Sequence, residues 1–207
     1  MNVCGHRGGW FAAVADGLGS RAQSHVGSQL AVRVARRSLD SLPANPRDAI
    51  QQFYRNWLQA LPNRSPDLMA TTLLAAHCQG NGRCRIAQLG DGLVLCRAGG
   101  AFSVLTPSRP GFGNETEALG ITKSFSAWQT TCVVLSEPGD GVVLMTDGLA
   151  DDLFPQRLEA FFSHLIGVAE SRSRRNCRRW LEGQLKAWPT AQHTDDKSIA
   201  LIFRDGR

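Results

Sequence analysis

The stretch Phe11-Ala-Ala-Val-Ala-Asp-Gly-Leu-Gly-Ser20 joins a short apolar run to an aspartate in a glycine-rich turn. An apolar run that ends in Gly and Ser is typical of a buried strand followed by a turn. The same design recurs at Leu144-Met-Thr-Asp-Gly-Leu149, where Asp147 follows a second apolar run. The pattern therefore predicts that Asp16 and Asp147 lie at strand ends, at the rim of a sheet.

Two further acidic sites share this design. Asp91-Gly92 follows the strand-like run at 83–89, and Asp195-Asp196 immediately precedes the final strand candidate at 197–203. A glycine beside a carboxylate lets backbone or ligand approach closely, and sheet rims can converge on one cleft. Mg²⁺ and Mn²⁺ prefer such oxygen ligands. A single Asp-Gly pair is equally typical of an ordinary turn, so it is the recurrence that favours a metal site.

Outside these sites the hydrophobic pattern changes between helical and strand-like periods. Helical spacing predicts helices at 26–39, 46–61, 158–166 and 180–188. Short β-prone runs at 72–76, 83–89, 93–96 and 102–105 predict an antiparallel meander, and further strands are predicted at 130–135, 142–145 and 197–203. The expected fold is a sheet with flanking helices, in one domain spanning residues 1–207.

The composition indicates an ordinary globular chain. Hydrophobic residues make up 43% and charged residues 20% of the 207 positions, which excludes a disordered or fibrous protein. No apolar window is long enough to cross a bilayer and the polar start lacks a secretion signal, so we expect a cytoplasmic protein. The six cysteines form no Cys-x-x-Cys pair, and most are expected to be buried thiols, with Cys78, Cys96 and Cys132 in strand-like runs.

Five ordered motifs resemble those of the metal-dependent type 2C protein phosphatases. They are Val14-Ala-Asp-Gly-Leu-Gly-Ser20, Ala70-Thr-Thr72, Gly90-Asp-Gly92, Leu144-Met-Thr-Asp-Gly-Leu149 with Asp151, and Asp195-Asp-Lys-Ser198. The chain most resembles the small bacterial serine/threonine phosphatases, to which the segments Ser20 to Gly27 and Gly111 to Thr116 are also similar. The resemblance implies an α+β fold, a four-layer α-β-β-α sandwich of two antiparallel sheets flanked by helices, with metal ions in a cleft at one edge.

The resemblance also implies roles for individual residues. Asp16 would bridge two Mn²⁺ or Mg²⁺ ions, and the Gly17 carbonyl would bind one of them. Asp147 and Asp195 would complete the shell of the other ion, and Asp91 would help to bind a third, weaker ion. Asp16, Asp147 and Asp195 are then the catalytic residues. The implied reaction is hydrolysis of phosphoserine or phosphothreonine by a water held between the ions, without a phosphoenzyme.

The implied partner is a phosphorylated protein, namely a cognate Ser/Thr kinase or its targets, with no nucleic acid and no membrane. Positive charge concentrates in one run that holds much of the net charge of +5: Arg172, Arg174, Arg175, Arg178 and Arg179. Such a run is typical of a solvated helix face, and docking of an acidic protein is its functional alternative. The five histidines show no ligand spacing and are expected to be structural or solvent-facing, although His193, two residues before Asp195, can face the cleft.

One feature of the family has no counterpart in the sequence. Family members carry an acidic metal ligand, and many also an arginine for substrate phosphate, on a strand upstream of the first motif. None of the fifteen residues before Asp16 is Asp or Glu, so we predict that this first strand is missing. Either the start is truncated or misassigned, or the second metal site is weak. The alternative function is a weakly active or inactive phosphatase-like module that binds phosphoproteins.

Overall fold

Two antiparallel sheets organise the protein in a computed structural model that describes residues 1–6, 8–38, 46–62, 65–106, 116–188 and 196–206. The first sheet has the order β1-β2-β3-β4-β7 and the second β6-β5-β8-β9. The strands are β1 (Asn2–His6), β2 (Gly9–Val14), β3 (Leu73–Gln79), β4 (Arg83–Leu89), β5 (Leu93–Ala98), β6 (Ala101–Val104), β7 (Gln129–Val134), β8 (Gly141–Met145) and β9 (Ile199–Phe203).

Helices cover the outer face of each sheet. They are α1 (Ser24–Ser38), α2 (Pro46–Ala60), α3 (Asp147–Ala150), α4 (Leu158–Glu170) and α5 (Arg174–Ala187), with short 3₁₀ turns at Pro66–Met69, Phe125–Ala127 and Pro155–Arg157. Pro46 stands in the first turn of α2, where its missing N–H costs no hydrogen bond. The Ser173 side chain accepts a hydrogen bond from the Asn176 N–H and so caps the start of α5. None of the helices in the described ranges is long and apolar enough to cross a bilayer.

Three apolar layers hold the four structural layers together. Phe11 of β2 packs with Phe53 and Trp57 of α2 between the first sheet and its helices. The facing sides of the two sheets enclose a second layer, and the second sheet packs on α4 and α5 through a third that includes Phe162. Alternation along β2 sends Phe11 and Ala13 to the helices and Ala12 and Val14 to the other sheet. The predicted four-layer α-β-β-α sandwich is confirmed.

The prediction that the first strand is missing is wrong. β1 pairs antiparallel with β2, with Asn2 opposite Ala13 and His6 opposite Gly9. The chain turns sharply at Gly8, whose φ of +137° favours glycine. Because β1 is an edge strand with little apolar sequence, it does not show as a strand in the hydrophobic pattern. Its residues, Asn-Val-Cys-Gly-His, nevertheless include no acidic side chain.

The predicted meander is divided between the two sheets. β3 pairs with β4, and β5 pairs with β6, but β5 takes β8 as its other neighbour instead of β4. The segment Gly90-Asp91-Gly92 carries the chain from the first sheet to the second. The apolar runs on both sides of this segment fit either arrangement, so the hydrophobic pattern did not reveal the crossing.

The cysteines differ in two places from the prediction of buried thiols. Cys78 and Cys84 are buried, but they lie directly opposite each other on β3 and β4 and form a disulfide. Cys132 is exposed because β7 is an edge strand whose residues are mostly open to solvent. Cys96 and Cys177 are buried thiols, as predicted.

Candidate functional site

Asp16 lies just beyond the end of β2, and hydrogen bonds to the segment before β3 fix its backbone. The Asp16 N–H donates to Thr72 Oγ1 over 3.0 Å, and the Thr72 N–H donates to the Asp16 carbonyl over 2.8 Å. The Thr71 hydroxyl donates to the same carbonyl over 2.7 Å. The consecutive threonines, both buried, therefore hold Asp16 in place. They belong to the Ala70-Thr-Thr72 motif, for which the sequence analysis gave no separate role.

Gly17 allows α1 to begin directly against the site. A Cβ atom at position 17 would lie 2.6 Å from the backbone carbon of Ser24, the first residue of α1, and 2.7 Å from its oxygen. The next N–H, of Leu18, donates to the Ala70 carbonyl over 3.0 Å. Only glycine fits between these two backbone segments. The glycine after Asp16 thus serves close backbone approach, as the sequence predicted.

Asp147 occupies the corresponding position beyond β8, in the second sheet. It begins the short helix α3, and its Oδ1 accepts a hydrogen bond from the Gly148 N–H over 2.8 Å. Thr146, which is buried, connects this strand end to the segment before β9. Its hydroxyl donates to the Asp196 carbonyl over 3.1 Å and accepts from the Ser198 N–H over 2.9 Å. These bonds bring the Asp196 backbone next to the end of β8.

The structure places the carboxyl group of Asp147 close enough to that of Asp16 to raise its pKa. Burial raises the pKa of Asp16, and the neighbouring Asp147 and the charge of Asp196 raise it further, to about 7, although the Gly17 N–H acts in the opposite direction. β2 and β8 belong to different sheets, so this acidic pair joins the ends of the two sheets. The pair concentrates negative charge at this edge of the sandwich.

The turn that carries Asp91 packs against both halves of this arrangement. At Gly90, whose φ is +100°, a Cβ atom would lie 2.5 Å from Thr72 Cγ2, and at Gly92 it would lie 2.6 Å from the Met145 carbonyl oxygen. The turn therefore fits between the segment that holds Asp16 and the strand that leads to Asp147. The Asp91 carboxylate accepts a hydrogen bond from the Thr116 hydroxyl over 2.9 Å.

A buried glutamine holds this turn in place. Gln88 is 3% exposed, and its Nε2 donates to the carbonyls of Gly90 and Gly92 over 3.0 and 2.9 Å. Thr106 donates to Gln88 Oε1 over 3.1 Å. The sequence analysis missed Gln88, Thr106 and Thr146 as positioning residues. The available signal was a polar side chain inside an apolar strand, because such a group needs hydrogen-bond partners when buried.

Asp195 and His193, together with residues 111–115 of the segment similar to the bacterial members, lie outside the described residues. In the part of the chain that is described, no three His, Cys, Asp or Glu side chains are placed to hold a metal ion. The described site therefore consists of Asp16 and Asp147. The charge of Asp196 raises the pKa of Asp16, and Asp91 lies on the adjoining turn. Asp196 was not predicted as a site residue, although it follows Asp195 directly.

A cavity of about 270 Å³ opens beside Ala15, the residue before Asp16. It lies between the start of β1 and one face of α1, and its lining includes Met1, Asn2, Val32 and Arg33. Because Asn2 pairs with Ala13, β1 runs antiparallel to β2 and its N-terminal end points toward Asp16. The strand upstream of the first motif thus approaches the site, but without a carboxylate.

Comparisons with known proteins agree with this architecture. A solved structure of PppA, described as a key regulatory component of T6SS in Pseudomonas aeruginosa, superposes with a TM-score of 0.59 at 24% identity and covers 92% of this chain and 84% of that chain. The catalytic domain of the serine threonine protein phosphatase PstP, in complex with 2 manganese ions, gives a TM-score of 0.61 at 19% identity, covering 97% and 88%. RsbX in complex with magnesium gives 0.60 at 14% identity, covering 96% and 83%.

These solved structures share the fold, at identities too low to transfer a function. No curated protein sequence matches the chain significantly. A family model of protein phosphatase 2C matches residues 1–186, which is most of the chain and includes the segments that carry Asp16, Asp91 and Asp147. The chain therefore belongs to the protein phosphatase 2C family.

Proposed function

We propose that this protein is a metal-dependent serine/threonine protein phosphatase that hydrolyses phosphoserine and phosphothreonine. The observation that carries the proposal is the pair formed by Asp16 and Asp147, two neighbouring carboxyl groups at the ends of strands from different sheets. Family membership supports the same reaction class. The chain also lacks a Cys-x5-Arg sequence, so a phosphotyrosine-phosphatase loop is not the source of a nucleophile.

The donor set fits a hard divalent cation. Two neighbouring carboxyl groups repel each other when both are ionised, and a divalent cation between them offsets that negative charge. Asp16, Asp147 and Asp195 with the Gly17 carbonyl would hold two Mn²⁺ or Mg²⁺ ions, and Asp91 would help to hold a third, weaker one. The structures of PstP with manganese and RsbX with magnesium contain the same kinds of ion in this fold.

Divalent cations, when bound, offset charge on the phosphoryl oxygens and lower the pKa of water. The protein itself provides rigid placement of the acidic groups. Thr71 and Thr72 fix Asp16 through its backbone, and Thr146 connects the strand that precedes Asp147 to the Asp196 segment. Positioning of this kind is the main contribution of a protein to phosphoryl transfer.

A second candidate function is a weakly active or inactive module that binds phosphoproteins. The observation that favours it is the composition of β1, which approaches the site and carries no Asp or Glu. A site with one charged ligand fewer attracts the second ion less strongly. Under either function the expected partner is a phosphorylated protein, such as a Ser/Thr kinase or its targets, and we expect the encounter in the cytoplasm.

The test is hydrolysis of a phosphothreonine peptide and of p-nitrophenyl phosphate with Mn²⁺, with Mg²⁺ and with excess EDTA. We expect turnover with either ion, none with EDTA, and none from the Asp147→Asn variant. Asp67→Asn is the matched control, because Asp67 is exposed on a short 3₁₀ turn. Activity that survives EDTA, or that thiol alkylation alone abolishes, would overturn the metal mechanism. Peptide binding without any turnover would instead establish the second candidate.

A further inference from the structure

We propose that the basic face of α5 is a docking surface for an acidic protein segment. This basic face consists of Arg172, which precedes the helix, and of four arginines in its first two turns, Arg174, Arg175, Arg178 and Arg179; all five side chains are exposed. Residues 170–187 contain six Arg and Lys against two Glu, a net charge of +4 out of the +5 of the whole chain. Positive charge is therefore dense in this segment, as it also is at residues 21–38, which contain four Arg and no Asp or Glu.

Two of these arginines lie over tryptophan rings. The guanidinium of Arg174 lies 4.8 Å from the centroid of the Trp10 ring, and its Nη2 donates to the Val3 carbonyl over 3.2 Å. Arg172 lies 5.3 Å from the centroid of Trp180. Stacking and hydrogen bonding restrict these long side chains, so less conformational entropy is lost when a partner binds them. The start of α5 is thereby held against the β1–β2 edge of the first sheet.

Two other arginines form no ion pair within the part of the chain that the structure describes. Arg175 and Arg179 are one helical turn apart, so their like charges repel each other. Neither forms an ion pair with any residue in the described ranges, in contrast to Arg178, whose Nε lies 2.8 Å from Glu182 Oε1. A pair of arginines that is unfavourable for the isolated helix is favourable once carboxylates from a partner lie between them.

The occupant that fits this surface is a protein segment with closely spaced carboxylates. Binding of single-stranded nucleic acid depends on aromatic rings that are free to stack on bases. Here the Arg174 guanidinium already lies over the Trp10 ring, and a Cβ at Gly5 would lie 3.4 Å from that ring. The Trp180 ring is covered by Arg172. The guanidinium groups remain available and match carboxylates in geometry.

The surface can be tested without any phosphatase assay, because the probe contains no phosphate. A fluorescein-labelled peptide of alternating Glu and Ala is titrated with the full chain, and its anisotropy is measured at low and at moderate salt. We expect binding at low salt that weakens as salt is added. Arg175→Ala/Arg179→Ala should weaken binding about fivefold to tenfold, given the usual strength of exposed charge pairs.

The matched control is Arg33→Ala/Arg37→Ala, which removes two exposed arginines at the same spacing on α1. It should leave the affinity unchanged. Circular dichroism of both variants checks that they are folded. Equal losses in the two double variants would show attraction by net charge alone and would overturn the proposal. Absence of binding at low salt, or tighter binding of an oligothymidylate of equal length through the same arginines, would overturn it as well.

Discussion

The two ends of β8 place aspartates in opposite environments. Asp140, just before the strand, is fully buried, and its carboxylate accepts hydrogen bonds from the N–H groups of Gly99, Gly100, Ser136 and Glu137 at 2.7 to 3.0 Å. Asp147, beyond the other end, has one backbone donor and a second carboxyl group as its neighbour. The carboxylate at one end accepts four backbone hydrogen bonds, and Asp147 at the other end accepts one.

The pKa values show the difference. Burial acts to raise the pKa of Asp140, yet the backbone N–H groups outweigh it and the pKa is lowered. At the site end, burial and the neighbouring carboxyl raise the pKa of Asp16 to about 7. The number and direction of the hydrogen-bond donors thus distinguish a structural carboxylate, such as that of Asp140, from one that we propose binds a cation, such as that of Asp16. Burial alone does not.

The largest effect is expected from Asp147→Asn, which we predict lowers metal-dependent phosphatase activity at least about a hundredfold. The same substitution should leave the metal-free protein as stable as the wild type or more stable, because it removes the repulsion with Asp16. Initial rates and urea denaturation in EDTA measure the two effects. A marked loss of metal-free stability would show that Asp147 is a structural aspartate like Asp140.

Asp140→Asn should have the reverse profile. We expect a loss of about 2 to 4 kcal/mol in the free energy of unfolding. The amide oxygen can replace only part of the hydrogen bonds that the carboxylate accepts, and the amide NH₂ group would face backbone N–H donors with which it cannot bond. Metal dependence should not change, since Asp140 lies at the far end of the strand from Asp147. Urea denaturation and the Mn²⁺ dependence of the rate provide the readouts, and a variant with wild-type stability would contradict the structural role.

The same comparison gives a pH dependence. Since the pKa of Asp140 is lower in the folded protein than its unfolded value of about 3.9, its contribution to stability is complete above that value. The contribution is lost as the pH falls through the folded pKa. The difference in unfolding free energy between the wild type and Asp140→Asn should therefore be constant near neutrality and shrink below about pH 4. A difference that grows on acidification would contradict the assigned direction.

Gly17→Ala should lower the free energy of unfolding by about 1 to 3 kcal/mol, because the new methyl group would overlap the start of α1. Gly167→Ala is the matched control, as a Cβ there, in the last turn of α4, meets nothing within 4 Å. It should stabilise the protein by up to about 1 kcal/mol. If both variants lost stability equally, close approach at Gly17 would not be the reason for its glycine.

Strand ends were the predictable part of the site. Short apolar runs before Asp16 and Asp147 identified β2 and β8, and the motif order identified the family and its sandwich. The crossing at Gly90-Asp91-Gly92 was not predictable, because an apolar run does not show which sheet it joins. β1 was missed for a related reason, since an edge strand needs little apolar sequence.

The hydrogen-bond partners of the buried polar residues could not be predicted from the sequence either. That Thr146 holds the Asp196 segment depends on a contact between residues far apart in the chain. Gln88 holds the Asp91 turn through carbonyls close to it in sequence, but only the folded turn brings them to its side chain. The disulfide between Cys78 and Cys84 depends likewise on the register of β3 against β4. A sequence shows that a buried polar group needs a partner, but only the folded chain shows which one.

The smallest expected effect is a difference in affinity between the sites for the two metal ions that the proposed function requires. One would be held by Asp16, Asp147 and Asp195, whereas the other would depend on Asp16, the Gly17 carbonyl and water, because β1 supplies no carboxylate. Mg²⁺ and Mn²⁺ tolerate water ligands, but each lost charge weakens attraction for the ion. We expect titration calorimetry with Mn²⁺ to resolve two classes of site that differ about tenfold or more in affinity, with turnover following the weaker class. Two equally tight sites would mean that another residue of this chain replaces the acid that β1 lacks.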